Sequence, residues 1–269
     1  MEVTPAYKRL LLTGAAGGLG RVLRPAMRGW APALRVSDIA PLGGPAAGEE
    51  LAPCDLGDEQ AVRSLVEGVD GIVHMGGIST DQPWAPILNA NIVGVYNLYE
   101  SARIHGVRRV VFASSNHAIG FYPRSQRIDA DDPVRPDSLY GVSKTFGESL
   151  SRFYFDRYGI ETVCLRIGSS FPEPKDRRML VTWLSYADLT GLVRASLFAP
   201  RVGHTIAFGA SANRDSWWDN RKAAHLGWVP RDSSERFRAA REAEPPPEKP
   251  DSPAEKLQGG AYVTMGPYE

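Results

Sequence analysis

Short apolar runs alternate along this chain with longer amphipathic stretches, and the alternation holds from residue 8 to residue 167. The runs at 8–13, 34–39, 51–56, 71–75, 109–114 and 162–167 read as strands, and most are closed by Gly, Ser or Asp. Between them, 59–67, 86–105, 139–158 and the segment after Gly20 read as helices. Strands alternating with helices predict an α/β fold built on a doubly wound parallel sheet with right-handed crossovers. Past Pro172 the alternation fades into a polar loop, then a helix over 186–198, a strand over 205–209 and a short helix before Gly227. The chain is therefore divided at residue 170 into a core, 1–170, and a C-terminal portion, 171–269, packed on it to make one compact unit. Residues 242–253, Glu-Ala-Glu-Pro-Pro-Pro-Glu-Lys-Pro-Asp-Ser-Pro, read as an extended linker, and the last segment through Glu269 is expected to fold back or to join another subunit. There is no internal repeat.

Ligands of such sheets lie beyond the carboxyl ends of the strands, so the polar groups there carry the chemistry. The first strand runs into Thr13-Gly14-Ala15-Ala16-Gly17-Gly18-Leu19-Gly20 and then a helix. Strand, glycine loop and helix make a Rossmann-type cradle: the glycines allow a tight turn and close approach of a pyrophosphate, and the free amides of the helix start favour phosphate oxygens. Asp38 ends the second strand eighteen residues after Gly20. Its carboxylate suits an adenosine ribose and repels a 2′-phosphate, which argues for NAD over NADP, although Arg35 lies one alternation away. Asp55 and Leu56 end the third strand, where an adenine would lie. Gly76-Gly77-Ile78-Ser79, Ser114-Ser115-Asn116-His117 and Gly168-Ser169-Ser170 end the fourth, fifth and sixth.

Tyr140 and Lys144 open the helix over 139–158 and, four residues apart, share a face. A nearby ammonium favours a phenolate, so the pair is a possible proton acceptor.

Composition narrows the partner. The chain carries 31 basic and 31 acidic residues, which offers no footprint for nucleic acid or an anionic membrane and leaves a small molecule. No apolar run approaches the roughly 20 residues of a membrane span, and the start, Met1 to Lys8, has no signal-peptide pattern, so a cytoplasmic protein is expected. Cys54 and Cys164 are read as reduced thiols. No histidine pair has metal-ligand spacing and no metal is expected; His74 reads as a core residue, while His204 and His225 have no partner in the pattern.

Thr13-Gly14-x-x-Gly17-x-x-Gly20, Asp38, Asp55-Leu56, Ser115 and Tyr140-x-x-x-Lys144 together resemble the extended short-chain dehydrogenases/reductases, over roughly residues 8–170. The flanking sequence, Gly76 to Ser79, Ser114 to His117, Arg166-Ile167-Gly168-Ser169, Arg178-Met179-Leu180, Gly209 to Asn213 and Trp217 to Asn220, is similar to bacterial uronate dehydrogenases over nearly the whole chain, with a departure at Ser170-Phe171. The resemblance implies oxidation of D-glucuronate or D-galacturonate to the aldarolactone with NAD. It implies Tyr140 as base, Ser115 on the reacting oxygen and Lys144 lowering the tyrosine pKa and binding the nicotinamide ribose, beside a cofactor site of Gly14, Gly17, Gly18, Leu19, Gly20, Asp38, Asp55, Leu56 and Gly76. Ser79, Asn116, His117 and Ser169 would take the sugar hydroxyls. Arg178 is chosen for the carboxylate on physical grounds too, because a planar guanidinium donates two parallel hydrogen bonds. A homo-oligomer is expected. The alternatives are a nucleotide-sugar epimerase or dehydratase of the same family and a non-catalytic NAD-binding regulator.

Overall fold

The computed structural model describes residues 7–266 and Tyr268; most of the stretch from Met1 to Lys8, and Pro267 and Glu269 at the other end, lie outside the described residues. Seven parallel strands form one sheet: β1 (Arg9–Thr13), β2 (Ala33–Ser37), β3 (Glu49–Leu51), β4 (Gly71–His74), β5 (Arg109–Ser115), β6 (Glu161–Ile167) and β7 (His204–Gly209). Their order is β3-β2-β1-β4-β5-β6-β7, so the winding reverses between β1 and β4 and opens a crevice at their carboxyl ends.

Alternation along each strand feeds two cores, one per face. In β1, Leu10 and Leu12 join Leu23 of α1 (Gly18–Ala26), while Leu11 joins the opposite cluster with Leu65 of α2 (Glu59–Val66). All three leucines are fully buried, each contributing about 1.5–3 kcal/mol of transfer free energy. Segment 86–105, expected as one helix, is three: α3 (Trp84–Ile87), a π-helical turn (Leu88–Val93) and α4 (Gly94–Ile104). The helix expected at 139–158 is α5 (Leu139–Tyr158). Ser138 caps its start, the Oγ accepting from the Gly141 amide at 3.0 Å, and Gly159 ends it in the left-handed region at φ 73°. Short α6 (Met179–Thr182) precedes α7 (Tyr186–Phe198), which covers the first core.

The third strand is displaced from the expected 51–56. Apolarity pointed to Leu51 onward, but the edge strand pairs Glu49, Glu50 and Leu51 with Leu34, Arg35 and Val36. Its glutamates tolerate the edge because arginines hold them: Arg24 and Arg28 pair with Glu49, Arg9 and Arg35 with Glu50. His204 and His225 do find partners, Ser151 Oγ at 2.9 Å and Thr205 Oγ1 at 3.1 Å. His74 is buried, its Nδ1 lies 2.7 Å from Thr13 Oγ1, and burial lowers it to about 3. Beyond α8 (Glu235–Glu242), residues 243–252 hold no helix or strand; then α9 (Pro253–Lys256) and a 3-10 turn (Gly260–Thr264) bring the tail back across the sheet's carboxyl edge. No helix among the described residues is long and apolar enough to cross a membrane.

Candidate active site

A cavity of about 830 Å³ runs along that edge, and its wall includes every candidate catalytic, cofactor-binding and substrate-binding residue named above, from Gly14 through Asp38, Leu56, Ser79 and Ser115 to Tyr140, Lys144, Ser169 and Arg178. At one end is the glycine loop. Gly14 has φ 69°, and a Cβ there would stand 2.5 Å from the Met75 backbone; one on Gly20 would collide with the Gly14 carbonyl oxygen. Only glycine lets α1 start this close to β1 with its amides facing the crevice.

Asp38 binds the loop to the end of β2: its Oδ2 accepts from the Ala16 amide at 2.9 Å and its Oδ1 from the Ala40 amide at 3.0 Å. Lone pairs remain for a ribose diol. Arg35 is turned away and committed, its Nε to Glu50 at 3.1 Å and its Nη1 to the carbonyls of Leu65 and Glu67 at 2.6 and 2.9 Å. The doubt it raised about a 2′-phosphate thereby falls. The cradle and this carboxylate fit NAD.

At the other end, β5 delivers Ser115 and a 3-10 turn (Asn116–Ile119) whose first amides it caps, the Ser115 Oγ accepting from the His117 amide at 3.1 Å. Asn116, with its amide oriented to satisfy both neighbours, donates to the Ile167 carbonyl at 3.1 Å and accepts from Arg178 Nη2 at 2.7 Å. His117 Nδ1 lies 2.8 Å from Asp137 Oδ2. A carboxylate there can only accept, so the proton sits on Nδ1. Burial lowers the His117 pKa, with Asp137 opposing. Ser169 Oγ shares a hydrogen bond with Thr182 Oγ1 at 2.9 Å. The departure at Ser170-Phe171 is packing: the Ser170 hydroxyl donates to Leu184 O at 3.0 Å and the Phe171 carbonyl accepts from Trp183 Nε1 at 2.9 Å.

Tyr140 and Lys144 are both buried on the inner face of α5. The Tyr140 amide donates to Asp81 Oδ1 at 3.0 Å, and Lys144 Nζ stands 5.4 Å from the tyrosine ring centre. Burial is the largest influence on the phenol and raises its pKa; a hydrogen bond with Ser115 offsets part of this. The expected lowering of the tyrosine by Lys144 thus has to act against a desolvation that raises the phenol. Burial also lowers Lys144 from 10.5 to about 8. Between those values the unfolded chain binds more protons than the folded one, so stability from this group rises with pH across the window. The stability of the wild type relative to Lys144→Met should accordingly increase from pH 8 to 10.5, followed by denaturant melts. A difference flat in pH would mean that the ammonium is solvated.

Three supporting residues escaped the sequence reading. Asn91, on the π-helical turn, accepts from the Ile78 amide at 2.8 Å and donates to the Ile78 carbonyl and to Ser143 Oγ, both at 2.9 Å, tying the Gly76–Ser79 loop to α5. A polar side chain within an otherwise apolar stretch was the available signal. Glu148 joins Ser114 and Arg166 behind β5, with Arg166 Nη2 at 2.9 Å. Tyr262, from the tail, lines the cavity and stacks on His117 with ring centres 3.7 Å apart. Among the described residues no group of three or more His, Cys, Asp or Glu is placed to hold a metal; Cys54 and Cys164 are free and buried.

The model of the NAD dependent epimerase/dehydratase family matches residues 10–188. A uronate dehydrogenase of Pseudomonas putida is 61% identical over the full length of both chains. Among solved structures, a glucuronic acid dehydrogenase from Chromohalobacter salexigens superposes with a TM-score of 0.95 at 54% identity, covering 97% of this chain and 98% of the other. A mutant of Agrobacterium tumefaciens uronate dehydrogenase complexed with NAD superposes with a TM-score of 0.93 at 51% identity, covering 96% and 98%.

Proposed function

The chain belongs to the NAD dependent epimerase/dehydratase family, and we propose that it oxidises D-glucuronate and D-galacturonate at the anomeric carbon to the aldarolactone with NAD. The full-length similarity to uronate dehydrogenases supports this activity. The observation that carries it to particular residues is the convergence of Ser115, Tyr140, Lys144 and Arg178 on one cavity wall.

NAD, when bound, supplies the hydride acceptor. The glycine loop and Asp38 hold its adenosine half and pyrophosphate, and Leu56 and Gly76 form the floor. Arg178 takes the sugar carboxylate, while Ser79, Asn116, His117 and Ser169 meet the hydroxyls, which fixes the anomeric carbon in place. Ser115 donates to the anomeric oxygen, and Tyr140 removes its proton. Lys144, still protonated at neutral pH with its value near 8, stabilises the phenolate that this requires. Because the sugar ring stays closed, the first product is the lactone.

The similarity to uronate dehydrogenases along the whole of this chain does not favour the epimerase reading. Initial NADH formation measured across uronates, neutral hexoses and nucleotide sugars tests the proposal: uronates should dominate. Turnover confined to nucleotide sugars, or none on any sugar acid despite NAD binding, would refute it. A homo-oligomer in the cytoplasm remains part of the proposal, to be settled by sedimentation of the purified protein and by fractionation of cells.

A further inference from the structure

We infer that Gln258 is a positioning residue for the carboxylate clamp, and that the C-terminal strap it pins sets the selectivity of the pocket for acidic sugars; the inference rests on the uronate reading above. The strap, residues 253–264, crosses the cavity mouth and contributes Gly259, Ala261 and Tyr262 to its wall. It adheres to the loop after β5 through an antiparallel bridge between Pro123 and Leu257, with the Gln258 amide donating to Tyr122 O at 2.8 Å and the Gly259 amide to Gly120 O at 2.9 Å.

Gln258 is fully buried. Its Oε1 accepts from Trp218 Nε1 at 2.9 Å, and its Nε2 donates to the carbonyls of Pro123 and Gln126 at 3.1 and 2.8 Å. A glutamine held by three side-chain hydrogen bonds has one position, and so does its own carbonyl. That carbonyl accepts from Arg178 Nε at 2.7 Å. With Nη2 facing Asn116 at 2.7 Å, two edges of the guanidinium are fixed. The group is planar, so the direction of Nη1 follows from the other two. Among the described residues Nη1 has no protein partner, and Arg178 lines the cavity. The packing is close enough that a Cβ on Gly260, at φ 64°, would stand 2.7 Å from Arg178 Cδ. The strap thus orients an arginine that would otherwise be a mobile loop cation, and leaves one donor edge for a carboxylate.

A double-mutant cycle on Gln258→Leu and Arg178→Ala tests this, read as calorimetric binding of glucuronate to the NADH complex and as initial rates. Gln258→Leu should raise the Kd and KM for glucuronate roughly tenfold, leave NADH binding unchanged, and cost nothing more once Arg178 is alanine. Additive losses, a parallel fall in NADH affinity or an unchanged glucuronate Kd would overturn the proposal. Trp218→Phe, which keeps an aromatic ring beside Phe208 and removes the N–H that holds Gln258 together with part of the indole, should give the same KM-confined effect in weaker form, with NADH binding unchanged, and decides the matter if Gln258→Leu does not fold. A wild type that binds glucuronate without forming NADH refutes the reaction and leaves the cycle readable; one that binds no acidic sugar overturns both.

Discussion

Replacement of Tyr140 by Phe is expected to lower kcat for uronates by roughly 10²- to 10⁴-fold, the usual worth of a positioned general base, while NAD binding and the melting temperature stay near wild type. The substitution removes one hydroxyl from a ring that packs edge-on to His117 at 5.8 Å and beside Tyr262 at 6.2 Å, and phenylalanine fills the same space. The backbone amide of residue 140, which anchors the start of α5 on Asp81, is untouched. What disappears is the only atom of that side chain able to accept the anomeric proton, together with its hydrogen bond to Ser115. Since burial raises the phenol, its ionisation depends on positive charge gathered in the pocket. A control in which Lys144 becomes Met should thus lose kcat as well, and its loss should shrink only as pH rises toward the phenol's own value, which burial places above the ordinary tyrosine value of about 10. Stopped-flow measurement of NADH formation at saturating uronate reads the Tyr140→Phe result directly. Turnover at the wild-type rate would remove the tyrosine from the chemistry.

Local pattern made legible whatever local interactions decide. The glycine loop, the polar ends of β4, β5 and β6 and the capped helix α5 are each specified within a dozen residues, so Gly14, Asp38, Ser115 and Tyr140 could be placed on one edge before any tertiary contact was known. The third strand was misplaced because its glutamates look unlike a strand until Arg9, Arg24, Arg28 and Arg35, distant in sequence, are brought against them. Asn91 stayed hidden for the same reason. An asparagine inside an apolar helix has meaning only once the Gly76–Ser79 loop is seen to hang from it. Gln258 and Tyr262 lie more than a hundred residues from the β5 loop they cover, across a proline-rich stretch with no periodicity, and no spacing rule reaches that far. The rise that burial imposes on the tyrosine was not legible because spacing reports the neighbouring charge but not how deeply both groups are buried.

Replacement of Arg178 by Ala is expected to lower kcat/KM for glucuronate and galacturonate by roughly 30- to 5,000-fold, the equivalent of about 2–5 kcal/mol for truncating one partner of a desolvated charge pair, with the loss carried mainly by KM. Burial lowers this guanidinium only to about 10, so it stays cationic at neutral pH and meets the carboxylate as an ion. Its surroundings reduce competition: Nε is committed to the Gln258 carbonyl and Nη2 to Asn116, and neither partner is an anion that would neutralise it. A lysine in its place would keep the charge but could not satisfy the Gln258 carbonyl, Asn116 and a carboxylate from one ammonium in the same plane, so Arg178→Lys should recover only part of the loss. Neutral hexoses supply the discriminating control, because they present no carboxylate. Whatever slow oxidation of them the wild type shows should persist in Arg178→Ala, and the ratio of uronate to hexose turnover should collapse toward one. If both substrates lose activity equally, Arg178 shapes the pocket without selecting charge. If the wild type already turns over neutral hexoses as fast as uronates, selection by the carboxylate fails altogether.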